Sequence, residues 1–126
     1  MVDKIVEVGI LFDFYGKLLS KSQYLAIEFY YIYDLSLGEI GEELGISRQG
    51  VYDTLKRAEN RLYSYEEKLG LVKKFSFTKE KVKDILKYSH DIEKEAEELG
   101  LNKTTENVKK IKGIALEILE SDQEVI

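Results

Sequence analysis

Between residues 47 and 61 the sequence sets out Ser47, Arg48, Gln49, Tyr52, Asp53, Lys56, Arg57 and Arg61. At helical spacing they face away from Val51, Leu55, Ala58 and Leu62, which form a buried stripe. The chemistry on offer is recognition of a nucleic acid. Arginine can bond guanine bidentately and glutamine adenine, which suits Arg48 and Gln49 in the first turn. Lys56, Arg57 and Arg61 lie further along, where phosphate contacts are expected. Tyr52 can pack on sugar or on a thymine methyl. Asp53 opposes phosphate, but can accept a bond from cytosine or orient an arginine.

No comparable constellation supports catalysis, and none calls for a cofactor. The chain has no cysteine, which removes disulfides, thiolate metal sites and thiol nucleophiles. Its single histidine, His90, lacks the second ligand a metal site needs. Glu93, Glu95, Glu97 and Glu98, interspersed with Lys94, read as a solvated helix face. Gly38, Gly41, Gly45 and Gly50 do not have the spacing of a phosphate-cradling loop. A non-enzymatic protein is expected.

The elements that must position the basic face are legible from residue 36 onward. Ser36 and Glu39 form a capping-box pattern, and Ile40 and Leu44 follow on one apolar face. Gly45 suits the left-handed end of that helix. Ile46 is expected in the core at the turn, and Ser47 caps the next helix. Gly41 falls where the two helices must come close, and a larger residue there pushes them apart. This is the spacing of a helix-turn-helix. Its second helix meets no break before Gly70, so roughly 22 residues and about 33 Å are expected.

Around this core the periodicity predicts an all-α chain. Ile5, Val8, Leu11, Phe12 and Tyr15 mark a first helix ending near Gly16. Ser20 and Gln23 open a second, to about Tyr33, with apolar positions almost all round it; Tyr24, Tyr30, Tyr31 and Tyr33 read as packing residues. Residues 71–77 alternate, and with no partner strand they suggest an extended connector docking Phe75 and Phe77. Thr78 then caps a helix to about Leu99, with Val82, Ile85, Leu86, Ile92, Ala96 and Leu99 inward. Asn102 or Thr104 opens the last, with Val108, Ile111, Ala115, Ile118 and Leu119 inward; the acidic tail after Ser121 is expected to fray. This gives a helix-turn-helix domain over 1–71 and a helical extension over 72–126, packed on it or on a second protomer.

With 19 basic against 24 acidic residues the net charge is −5, which argues against broad, charge-driven nucleic-acid binding. Residues 1–34, 35–71 and 72–126 carry −2, −2 and −1, so there is no basic tail. No apolar run reaches the roughly 18 residues of a membrane span. Met-Val-Asp-Lys-Ile lacks the pattern of a signal peptide. A cytoplasmic protein with no membrane partner is expected.

Residues 36–62 resemble region 4 of sigma-70 family factors, in Glu39-Ile40-Gly41, Leu44-Gly45-Ile46-Ser47-Arg48, Val51 and Arg57-Ala58. A longer likeness is to the bacterial YlxM family. It runs through Leu11 to Leu19, Tyr30-Tyr31, Asp34 to Ile40, Ser47 to Asp53 and Tyr65 to Leu69, covering about residues 5–71. The resemblance implies an all-helical DNA-binding regulatory protein with a sigma-region-4-like core. It also implies a part in the signal recognition particle pathway. Excess apolar surface on the second helix and on the long fourth one suggests a homodimer reading paired half-sites. The alternative is a non-catalytic accessory that binds the particle's protein or RNA through the same basic face.

Overall fold

The structure is a computed structural model in which residues 3–123 are described. Among them there are six α-helices and no strand. Helix α1 spans Lys4–Tyr15 and is capped by Asp3, whose carboxylate accepts from the Ile5 amide at 3.0 Å. A 3-10 turn, Gly16–Leu18, leads to α2, Lys21–Ile27, which opens with the Ser20–Gln23 capping box. The helix then widens into one π turn, Glu28–Ile32, where the Tyr33 amide donates to the Glu28 carbonyl five residues back. Asp34, at φ 57°, takes the left-handed conformation that aspartate tolerates and turns the chain toward α3.

Helix α3 is Leu37–Leu44. The Ser36 hydroxyl accepts from the Glu39 amide at 3.1 Å, while the Glu39 carboxylate accepts from the Ser36 amide at 2.9 Å. Gly45 ends it at φ 69°, as a residue without Cβ can. Ser47 then caps α4, Arg48–Leu69, a helix of 22 residues that closes on left-handed Gly70. Helix α5 is Leu71–Glu98 and α6 is Asn102–Gln123. The chain forms two compact units, dividing between Val72 and Lys73.

In the first unit α4 is the central element and packs against α1, α2 and α3. Val8, Tyr15, Ile27, Ile40, Val51 and Leu62 are its largest fully buried side chains. Val51, Leu55, Ala58 and Leu62 form the buried stripe of α4, each large apolar side chain contributing about 1.5–3 kcal/mol. A Cβ added at Gly41 meets the Ile46 carbonyl oxygen at 2.7 Å. The close approach there is thus to the turn backbone. Ile46 itself is 41% exposed rather than in the core, because the turn lies at the surface of the unit.

Residues 71–77 are helical, not an extended connector. A lone strand leaves its backbone groups without a ladder, whereas a helix satisfies them locally. The missing start signal is supplied from elsewhere in the unit. The Leu71 amide donates to the Tyr15 hydroxyl and the Val72 amide to the Glu66 carboxylate, both at 3.0 Å. Thr78 is consequently interior to the helix, and Phe77 is 64% exposed instead of docked.

In the second unit, α5 and α6 are bridged by Lys112 and Glu93 at 3.2 Å. Val82, Ser89 and Ala96 of α5 and Val108 and Ala115 of α6 are buried. Ile85, Ile92 and Leu99, expected inward, are exposed, as are Ile111 and Ile118. The buried line is narrow, so the larger residues flanking it stay outside it. Of the tail expected to fray after Ser121, α6 includes the backbone to Gln123; the rest lies outside the described residues.

Candidate nucleic-acid interface

The site is built on the first half of α4. The Ser47 hydroxyl is engaged in capping and accepts from the Gly50 amide at 3.0 Å. Arg48, Gln49, Tyr52, Asp53, Lys56 and Arg57 all lie on the exposed side of this helix. Arg48 and Arg57 have no hydrogen-bond or ion-pair partner among the described residues, so two permanent charges face solvent. Gln49 is oriented by Asp53: its Nε2 donates to Asp53 Oδ1 at 3.1 Å. Asp53 thereby fixes the orientation of the Gln49 amide on the exposed face.

Lys56 is less available. Its Nζ lies 5.5 Å from the Tyr52 ring centroid and 3.8 Å from Glu59 Oε1. Arg61 stands further along, tied back to the fold: Nη1 donates to Gln23 Oε1 at 3.1 Å and Nη2 to the Tyr65 hydroxyl at 2.7 Å. The structure therefore groups six of the eight residues on one open face, with Ser47 at its cap and Arg61 beside α2.

Sequence reasoning passed over Glu59. This carboxylate is 6% exposed, and it accepts from the Tyr31 hydroxyl at 2.7 Å while Lys4 lies at 3.0 Å. The Glu59 bond raises the pKa of Lys4, and burial, then Glu59, raises that of Tyr31. The available signal was positional. Glu59 is four residues after Leu55 and three before Leu62, on the edge of the apolar stripe. A cavity of about 200 Å³ opens beside it, between Tyr31, Tyr52 and Lys56. Among the described residues, no buried side-chain polar atom lacks a hydrogen-bond partner.

His90 is exposed on α5. Among the described residues, no group of three or more His, Cys, Asp or Glu could hold a metal ion. No helix among them is long and apolar enough to cross a membrane.

A family described as "Putative helix-turn-helix protein, YlxM / p13 like" matches residues 2–111. The chain belongs to this family. The motif in that description is the one formed by α3 and α4, and the match continues through α5 into α6. It thus extends well past residues 5–71, the segment that carries the family-like motifs. A family protein of Desulforamulus reducens is 43% identical, covering 94% of this chain and 96% of the relative. One from Thermoanaerobacter sp. is 48% identical over 80% of this chain and all of the relative. One from Acetivibrio thermocellus is 52% identical over 68% and 74%.

Proposed function

We propose that the chain is a cytoplasmic DNA-binding regulatory protein acting as a homodimer, with a part in the signal recognition particle pathway. Helix α4 enters the major groove; Arg48 and Gln49 read base edges, while Lys56 and Arg57 meet phosphates and Tyr52 packs on the sugar edge. The observation that carries this reading is the unpartnered Arg48 and Arg57 on the open face of a helix-turn-helix. The test compares the wild type with an Arg48→Ala/Lys56→Ala/Arg57→Ala variant on fragments of the protein's own operon, at several salt concentrations. The reading expects at least a roughly tenfold loss of affinity and a shallower salt dependence, because phosphate contacts release counterions. Equal, salt-insensitive affinities reject it.

A second reading is favoured by how few cations are uncommitted. Lys56 is drawn toward Glu59, and Arg61 is bonded to Gln23 and Tyr65. A small face with two free arginines also suits the protein or RNA of the signal recognition particle. Capture of either from lysate, lost in the same triple variant, supports this alternative; recovery of operon DNA alone supports the first.

A further inference from the structure

The second unit exposes an apolar face that the buried line of α5 and α6 leaves uncovered. On α5 this face is a single stripe with an unusual order. Tyr88 stands at its centre, 62% exposed. Three residues before it is Ile85 and four after it is Ile92, 44% and 48% exposed. Seven residues out on either side stand Lys81 and Glu95, both exposed. Eleven residues out stand Phe77 and, one residue past the end of α5, Leu99, 64% and 65% exposed. At about 100° per residue all seven fall within roughly a quarter-turn of one another, along about 33 Å of helix.

Outward from Tyr88, the stripe reads apolar, charged, apolar in both directions, with the charge positive on one side and negative on the other. A surface of that kind is complementary to itself when turned end for end. We infer that this α5 face pairs with the same face of a second copy, antiparallel, about a two-fold axis passing beside Tyr88. The pairing sets Ile85 beside the second copy's Ile92, Phe77 beside its Leu99 and Lys81 beside its Glu95, each contact occurring twice. A parallel pairing instead sets Lys81 on Lys81 and Glu95 on Glu95, which like-charge repulsion disfavours.

Neighbouring charges follow the same polarity. Lys79, Lys83 and Lys87 lie in the first part of α5, and Asp91, Glu97 and Glu98 in the last; Glu80, Asp84 and Lys94 run against it. Exposed Ile111, Ile114 and Ile118 give α6 an apolar stripe of its own. The α6 stripe is rotated from its helix's buried residues in the same sense as the stripe of α5. In an antiparallel hairpin, that places both on one side. Two hairpins meeting there close a four-helix arrangement. This gives the second copy proposed above its place on the chain, and to that extent rests on that reading.

The test is sedimentation of the full chain without nucleic acid, over a concentration series. Lys81→Glu and Glu95→Lys variants, changed only at exposed positions, are compared with the wild type by helical content and by dimer dissociation. Each single variant is expected to weaken the dimer by roughly tenfold, since one like-charge contact then occurs twice. The double variant regains wild-type pairing, and a mixture of the two single variants forms heterodimers. An Ile85→Lys/Ile92→Lys variant is monomeric. A wild type that stays monomeric at about 100 μM, well above any functional pairing affinity, overturns the inference. So does a dimer indifferent to all of these changes. Because no DNA is present, failure here leaves the DNA reading to its own titration.

Discussion

At the scale of single residues, two glycines of the motif act for different reasons. Gly41 lacks a Cβ because the Ile46 carbonyl occupies the space at 2.7 Å, whereas Gly45 has open space around it and a φ of 69°. Gly41→Ala should therefore cost about 1–3 kcal/mol by overpacking against backbone that cannot yield. Gly45→Ala should cost roughly 1 kcal/mol, from left-handed strain alone. Urea denaturation of both variants checks the order; equal losses would contradict the steric account of Gly41. Tyr63 supplies a second residue-scale prediction. Its hydroxyl donates to Glu7, and burial, followed by that bond, pushes its pKa up to about 12. The fold keeps this proton where the unfolded phenol, with pKa near 10, has lost it. Its stabilising contribution is therefore complete below about pH 10 and is lost as pH rises through about 12. Tyr63→Phe should flatten the fall of the urea midpoint across that window. Tyr31, Tyr15 and Lys4, raised in the same direction, contribute to the slope that remains.

At the scale of elements, Glu59 ties the centre of the motif to its surroundings. Through this one carboxylate α4 is linked to Lys4 of α1 and to Tyr31 of the π turn. Glu59→Ala leaves the half-buried Tyr31 hydroxyl without its acceptor and should cost on the order of 1–3 kcal/mol. Tyr31→Phe should cost less, and almost nothing further in the Glu59→Ala background. A double-mutant cycle measures this coupling, and simple additivity would show that the pair does not act together. The capping signals at this scale were legible because they are local: Ser36 with Glu39, Ser20 with Gln23, Ser47, Gly45 and Gly70 each act within a few residues. The start of α5 was illegible because its first amides bond to Tyr15, 56 residues away for Leu71, and to Glu66. Without those partners, the alternation of 71–77 looks extended.

For the whole molecule, charge sets the terms on which α4 can meet a nucleic acid. A chain of net charge −5 gains nothing from general attraction to phosphates, so affinity depends on the few cations aimed outward. With Arg48 and Arg57 free and Lys56 partly drawn to Glu59, the logarithmic salt slope should be small. About 0.9 is expected per phosphate neutralised, giving roughly 2–3 per protomer. The titrations proposed above measure it, and a slope near 10 would mean that other basic surfaces make the contacts. By itself the sequence determined the first four helices, the caps of α2, α3 and α4 and the helix-turn-helix, because periodicity, capping and glycine conformation are properties of neighbouring residues. Tertiary structure alone decided that Glu59 is buried and that Arg61 is held by Gln23, on α2. It also decided that Ile85, Ile92 and Leu99 stay outside. The reason is common to all three. A side chain at the edge of a helical stripe faces inward or outward according to what packs beside it, and that neighbour comes from a distant part of the chain.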